Sequence, residues 1–368
     1  MSMRRTSAYR PWLPWKREVE PLGVRCGRPV LIRRVELRPP ARGDDEKVRV
    51  TTVDPRPRPN ASEEARSPEL SSVRSRGRIA AYVALTKPRI IELLLVTTVP
   101  TMILAADGLP SWRTVVATLI GGTLAAAGAN AFNSYIDRDI DQVMHRTRTR
   151  PLATGEIQPV PALVFASLLS FSSVAWLAVT VNAASAWLTA AAIGFYVVVY
   201  TLVLKRRTAQ NIVWGGAAGC MPVLIGWSAV TGGLSWTPLV LFLIIFFWTP
   251  PHYWPLAMRY KADYDTAGVP MLPVVADQVK VGQQIVLHSW AMVLSSLALW
   301  VVAPTSWFYG IAALVLGAAF LLEAHRLLRG ARQGWDEARL KPMRLFHGSI
   351  SYLTLLFAAM AIDPFLPL

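Results

Sequence analysis

Nine predominantly apolar stretches, each about twenty residues long, follow one another at 89–107, 112–134, 160–181, 184–204, 210–230, 236–257, 283–303, 305–328 and 345–363. That length matches the hydrocarbon thickness of a bilayer. Within lipid, a single segment satisfies its backbone polar groups only as a helix. The spacing predicts an all-α fold, a polytopic membrane protein of nine transmembrane helices. Interior prolines at Pro100, Pro222 and Pro250-Pro251 are compatible with it, because neighbouring helices shield the freed carbonyls. Composition agrees: 53% of the 368 residues are hydrophobic and 17% charged, where soluble domains carry about 25% charged. A soluble enzyme and a disordered scaffold are excluded. So is a disulfide-stapled secreted module, since Cys26 and Cys220 are the only cysteines.

Charge in the connections sets an orientation. The connections 108–111, 182–183, 231–235 and 303–305 contain no Lys or Arg, and only Arg113 sits beside one of them. The alternate connections hold Arg138, Arg146, Arg148, Arg150, Lys205, Arg206, Arg207, Arg259, Lys261, Lys280, Arg326, Arg329, Arg332, Arg339, Lys341 and Arg344. By the positive-inside rule the N-terminus is cytoplasmic, the C-terminus is outside the cell membrane, and an odd number of spans follows. The acids also collect in the basic connections, so the chemistry is expected at the cytoplasmic face. A transporter would instead place its ionisable groups near the midplane.

Residues 1–78 differ in kind. They carry 19 of the 38 Lys and Arg, 10 of the 23 Asp and Glu, and ten prolines, with no sustained apolar period. They read as a disordered, basic, Pro-rich cytoplasmic extension ahead of a membrane domain at 79–368, with Val73 as an alternative start just before the ordered pattern. A basic arm on anionic lipid is the second reading. No apolar run of seven follows the basic start, as a secretory signal requires, and ten acids argue against a transit peptide. Because +9 of the net charge of +15 lies in this extension, the charge does not mark a nucleic-acid partner.

The sharpest polar pattern follows the second stretch. Asn133, Asp137 and Asp141 are spaced i, i+4, i+8 and share one face of a helix, about 6 Å apart along the axis per step, whereas Asp139 falls on the opposite side. Oxygen ligands at this density suit Mg²⁺, which takes one or two carboxylates and completes its shell with substrate phosphate and water. The stripe thus suggests a diphosphate substrate. The plain alternative is a solvated helix end whose acids pair with Arg138, Arg146 and Arg148. Next, Arg146, Arg148 and Arg150 alternate through a Pro- and Gly-containing loop, and Lys205, Arg206 and Arg207 form a second cluster; each suits phosphate or simple inside-positive anchoring. A third segment places His252 after Pro250-Pro251 among Trp248, Tyr253 and Trp254, followed by Lys261, Asp263 and Asp265. Its aromatics suit a flat apolar ligand. Glu92, an acid inside the first stretch, is expected to pair with Arg89 or Lys87.

At these residues the chain resembles the UbiA superfamily of membrane prenyltransferases and, within it, the haem O synthase family, over about residues 79–365. The superfamily's first aspartate motif, Asn-x-x-x-Asp-x-x-x-Asp, is matched by Asn133, Asp137 and Asp141. The narrower resemblance rests on Leu85-Thr86-Lys87-Pro88-Arg89, Asn130-Ala131-Phe132-Asn133, Asp137-Arg138-Asp139-Ile140-Asp141, Arg146-Thr147-Arg148, Arg150-Pro151-Leu152, Gln210-Asn211-Ile212-Val213, Trp248-Thr249-Pro250-Pro251-His252, Asp263-Tyr264 and Ala267-Gly268-Val269-Pro270. The second aspartate motif is reduced, with Ala267 four residues after Asp263, as in that branch.

The resemblance implies an all-α membrane bundle of nine transmembrane helices around a central cavity, and transfer of the farnesyl group of farnesyl diphosphate to the 2-vinyl group of protohaem IX, with water addition, giving haem O. Its substrates would come from the lipid bilayer, and a haem A synthase or oxidase-assembly protein would receive the product. It implies Mg²⁺ held by Asn133, Asp137 and Asp141; catalytic roles for Asp137, Asp141 and Asp263; and diphosphate contacts from Arg146, Arg148, Lys205 and Lys261. For haem contact His252 leads, ahead of His288 and His347 near cytoplasmic span ends; His325 and His145 compete less well. A quinone precursor or chlorophyll-like ring is the alternative acceptor.

Overall fold

Every apolar stretch read from the sequence is helical. The computed structural model describes residues 77–366, the side chains of 89–95 excepted. The expected extension therefore lies, over 1–76, outside the described residues, as does the pairing of Glu92. The long helices are α2 (Pro88–Ala106), α3 (Trp112–Ile136), α5 (Pro159–Thr180), α6 (Ala183–Gly194, continued by a π-helix over Phe195–Leu204), α7 (Asn211–Thr231), α8 (Trp236–Arg259), α11 (Gln278–Val302), α12 (Trp307–Arg332) and α14 (Pro342–Ile362). Five short helices, α1 (Arg78–Thr86), α4 (Arg138–Val143), α9 (Lys261–Thr266), α10 (Leu272–Val275) and α13 (Glu337–Leu340), all sit at the basic end. Apart from α4, which carries the end of the Asn133–Asp141 stripe, each is too short to show a period in the sequence.

Among the described residues, eight helices are long and apolar enough to cross a membrane. The described apolar part of α2 is Val96–Ala106. Exposed side chains confirm a lipid setting: Trp112, Trp187, Trp236 and Trp307 are each at least 70% exposed. All four lie in the first turns of helices that start at the sparsely charged end, as in an interfacial aromatic belt. The prolines of α8 do not break it, and Pro250 and Pro251 are buried inside a continuous helix.

Helices adjacent in sequence pack side by side, α3 on α5, α5 on α6, α6 on α7, α7 on α8, α8 on α11, α11 on α12 and α12 on α14. Helix α14 also packs on α2, and α2 on α7, which closes the bundle. At the sparsely charged end Asp363, 3% exposed, accepts bonds from the Ser306 backbone N–H (2.7 Å) and hydroxyl (2.6 Å) and from the Tyr309 N–H (3.1 Å). A carboxylate on orphan donors at the α12 N-terminus ties the last helix to the one before it.

Small residues allow α3 and α5 to approach closely, the usual means of association where lipid removes the hydrophobic drive. A Cβ at Gly128 would stand 2.4 Å from the Ser170 hydroxyl and 2.9 Å from its backbone nitrogen, whereas one at Gly194 would meet nothing within 4 Å. Gly128→Ala is therefore expected to destabilise by about 1–3 kcal/mol through overpacking. Gly194→Ala is expected to be neutral or mildly stabilising. Thermal unfolding in detergent compares the two.

Candidate active site

The site begins where α3 ends. Asp137 leaves the helical geometry, yet the Asp137 N–H still bonds the Asn133 carbonyl (2.9 Å) and the Asp141 N–H the Asp137 carbonyl (2.8 Å). The i to i+4 ladder thus runs on into α4 and keeps the stripe on one side. Asn133, Asp137 and Asp141 are 4%, 0% and 3% exposed, whereas the Asp139 side chain is 60% exposed.

Buried carboxylates in a membrane bundle need partners. Lys205 pairs with Asp137 Oδ2, which also accepts from the Asn133 amide (2.8 Å). The same amide donates to the Thr201 hydroxyl (3.3 Å), so Asn133 Oδ1 is turned toward the Lys87 ammonium, which bonds it. Arg150 grips both oxygens of Asp141, at 2.9 and 2.8 Å. Asp139 pairs instead with Arg206 on the surface, and that hydrogen bond holds its carboxyl down at about 2. None of Arg138, Arg146 and Arg148, the partners expected of a solvated helix end, forms an ion pair with these acids among the described residues.

Lys87 was quoted only as part of a motif and as a neighbour of Glu92. It occupies the left-handed region (φ 54°, ψ 63°) between α1 and α2, a conformation costing about 1–3 kcal/mol for a residue with a side chain. Pro88 follows at the start of α2, so the chain turns sharply and aims the ammonium at the stripe. Burial, reinforced by Arg150 and Lys205, lowers its pKa to about 7.

Lys205 is placed by the π-helix. Its N–H bonds the Tyr200 carbonyl five residues back (2.9 Å), and the wider turn brings Tyr196, Tyr200 and Lys205 to one wall. The two tyrosine rings stack at 5.4 Å. Gly215 makes the space, since a Cβ there would lie 2.1 Å from the Tyr200 ring.

The arginine loop folds over this wall. Asp263 on α9 accepts the Arg146 backbone N–H (3.1 Å), while the Arg146 guanidinium reaches the Tyr264 hydroxyl (3.4 Å), itself 2.9 Å from that of Tyr253. Burial raises the Tyr264 phenol well above its ordinary range. Asp263 therefore anchors the loop and does not line the cavity, and Arg148 and Lys261 are exposed outside the wall.

Opposite lies an aromatic surface built from α8 and α14. The His252 ring is stacked between Trp248 (4.1 Å between centroids) and Phe346 (4.6 Å), with Nδ1 2.8 Å from the Ser349 hydroxyl. His288 bonds the Gln284 carbonyl and is not in the cavity wall, and His347 is exposed. Of the three histidines weighed for haem, His252 is the one brought to the cavity. Phe346 and Ser349 carried no local signal, because they reach the site only through the packing of α14 on α8.

These surfaces enclose one cavity of about 540 Å³, walled by Lys87, Asn133, Asp141, Arg146, Arg150 and Lys205 at one end and by Trp248, His252 and Phe346 at the other. An apolar chamber of about 180 Å³, lined by residues such as Ala125, Ala192 and Ile225, shares Tyr196, Ala218 and Gly219 with it. The donor set suits Mg²⁺. Asp137 Oδ1 is buried without a hydrogen-bond partner, 3.8 Å from Arg206; Asn133 Oδ1 and Asp141, bonded by Lys87 and Arg150, lie along the same stripe and line the cavity. Two carboxylates and an amide oxygen leave room for phosphate oxygens, as that ion prefers.

The fold and this acidic, cation-lined chamber define a membrane prenyltransferase, and the chain belongs to the UbiA prenyltransferase family, whose model matches residues 94–350. Among its relatives, protoheme IX farnesyltransferase of Streptomyces avermitilis is 58% identical over 289 residues, covering 78% of this chain and 95% of that one. The protein of the same name from Paenarthrobacter aurescens is 58% identical over 299 residues, covering 81% and 93%. Among solved structures, a digeranylgeranylglyceryl phosphate synthase matches with a TM-score of 0.65 at 14% identity, covering 78% of this chain and 98% of that one. A UbiA homologue from Archaeoglobus fulgidus bound to GPP and Mg²⁺ matches with a TM-score of 0.55 at 18% identity, covering 76% and 99%. Both share the fold.

The burial pattern separates the three acids. Asp137→Ala and Asp141→Ala are expected to lower prenyl transfer at least about 100-fold, the scale of losing a group that stabilises developing charge. Asp139→Ala is expected to be mild, because an exposed ion pair contributes about 0–1 kcal/mol. Turnover in membranes with added Mg²⁺ measures all three, and equal losses would contradict the one-sided stripe.

Proposed function

We propose that this chain transfers the farnesyl group of farnesyl diphosphate to the 2-vinyl group of protohaem IX, with addition of water, to give haem O. The observation that carries this reading is the single cavity with a cationic and acidic end and an aromatic end. A diphosphate and a flat porphyrin require those two surfaces in one chamber. The relatives that bear the name of this reaction, at 58% identity, favour haem as acceptor over a quinone precursor or chlorophyll-like ring.

Reaction begins as the bond between C1 of the farnesyl group and the diphosphate oxygen breaks. Lys87, Arg146, Arg150 and Lys205 offer donors to the phosphate oxygens that take up the charge. Asn133, Asp137 and Asp141 would hold Mg²⁺, which when bound neutralises part of the leaving group's charge. The C15 chain is assigned to the apolar chamber, past Tyr196. Tyr196 and Tyr200 present ring faces where positive charge develops on the allylic carbons.

The terminal vinyl carbon then forms the new carbon–carbon bond to C1. The cation left beside the porphyrin ring takes up water and releases a proton, leaving a hydroxyl group. The vinyl group is the nucleophile, so no Ser or Cys is required, and Cys220 is fully buried against the Gly216 carbonyl. Asp263 serves by pinning the loop that carries Arg146. Arg148 and Lys261, exposed beside the mouth, are assigned to electrostatic attraction of the diphosphate.

The test is extraction of haem from membranes expressing the protein, with mass analysis for the farnesyl adduct. The expected product forms with farnesyl diphosphate and Mg²⁺ and disappears with chelator. Absence of the adduct when both substrates are supplied would overturn the reading.

The arrangement in the membrane is part of the proposal. Counting α2 gives nine spans, with the N-terminus and cavity mouth cytoplasmic and the C-terminus outside. Alkaline phosphatase fused after Leu368 is expected to be active and a green fluorescent protein fused there dark; the reverse result would invert the topology. Residues 1–78 are assigned no part in catalysis. Deletion of residues 1–72 is expected to leave haem O formation unchanged, measured against the full chain at equal expression.

A further inference from the structure

We infer that Ser349 selects the tautomer of His252 that presents an unprotonated Nε2 to the cavity, as a ligand for the iron of the porphyrin substrate. This rests on the reading of haem as the acceptor and adds a positioning residue to it.

The inference follows from counting hydrogens. The Ser349 hydroxyl lies 2.6 Å from the Phe346 carbonyl and 2.8 Å from His252 Nδ1. A hydroxyl has one hydrogen, and a carbonyl oxygen cannot donate. The hydroxyl hydrogen therefore goes to Phe346, and the serine oxygen accepts from Nδ1–H. With the proton on Nδ1, the neutral ring keeps its lone pair on Nε2, the form that binds a metal. The hydrogen bond of the His252 ring among the described residues runs through Nδ1, which leaves Nε2 for a ligand, and His252 lines the cavity.

The surroundings leave the ring no other use. Trp248 and Phe346 cover its two faces at 13° and 24° from parallel, so only the edge bearing Nε2 is open. A metal–imidazole bond lies in the ring plane, along that edge. Ser349 is itself fully buried, and its carbonyl accepts from the Trp248 indole N–H (2.8 Å), which fixes α14 and α8 in register at this point. His288 and His325 also bond carbonyls through Nδ1, at Gln284 and Leu321, but neither lines the cavity. Tautomer and position coincide at His252.

The test uses the full-length protein in detergent, titrated with ferric protohaem and followed by optical absorption and electron paramagnetic resonance. The wild type is expected to give an imidazole-ligated spectrum, lost in His252→Gly and restored by added imidazole. Ser349→Ala is expected to weaken haem binding about 10-fold, as for other partners that orient a metal ligand. It is also expected to raise the midpoint potential at saturating haem, because the lost acceptor makes the imidazole a weaker donor to ferric iron. Ser349→Thr, which keeps the hydroxyl, is expected to restore both. A packing role alone would not move the potential of the bound haem.

An unchanged spectrum in His252→Gly overturns the inference. So does an unchanged affinity and potential in a folded Ser349→Ala. If Ser349→Ala does not fold, the Ser349→Thr variant and the imidazole rescue of His252→Gly decide. Haem O formation in the same preparations separates the two levels. Adduct formed by the wild type while the spectra ignore these substitutions removes the ligand assignment and leaves the transferase; ligand-dependent spectra without any adduct remove the transferase reading.

Discussion

The structure depends on accommodating the Asp137 carboxyl group inside a membrane bundle. A carboxylate with no solvent exposure needs a partner for its charge. Lys205 supplies the charge and Asn133 a hydrogen bond, and Asn133 is in turn held by Lys87 and Thr201. These contacts join the end of α3, the π-helix and the turn between α1 and α2. Strain at Lys87 and the widened turn before Lys205 are the local costs of bringing two ammonium groups to one stripe.

Around that cluster the chamber is divided by chemistry. The α3–α4 stripe, the π-helix and the arginine loop form its polar end, whereas α8 and α14 form its aromatic end. The apolar side chamber opens between them at Tyr196. A reaction that passes through an allylic cation and uses a substrate carbon as nucleophile asks the protein mainly for position and for protection from water. In the proposed reaction these are assigned to the tyrosines, the stacked histidine and the loop anchored by Asp263, with no nucleophilic side chain.

Much of this was legible in the chain. The nine apolar stretches coincide with the long helices to within a few residues at most ends, because a lipid-facing helix must be continuously apolar over a fixed length. The one exception of size is α11, which begins at Gln278, before the apolar stretch at 283. The stripe of Asn133, Asp137 and Asp141 was legible too, since helical periodicity sets which side chains share a face, and the exposure of Asp139 agrees. Apart from α4, the short helices at the basic end were not legible, being too short to show a period.

What the sequence by itself determined is the class of fold, the charged end and the acidic stripe, all properties of segments shorter than thirty residues. Tertiary structure alone decided which cation meets which acid, Arg150 and Lys205 being chosen over Arg138, Arg146 and Arg148. It also decided that Lys87 joins the site, that Asp263 serves the loop, and that His252 faces the cavity while His288 and His347 do not. Apart from Arg150 with Asp141, nine positions away, those choices depend on contacts between residues about 40 to 120 positions apart, such as Lys87 with Asn133 and Arg146 with Asp263. The crossing of packed helices sets such distances, and no local period encodes them.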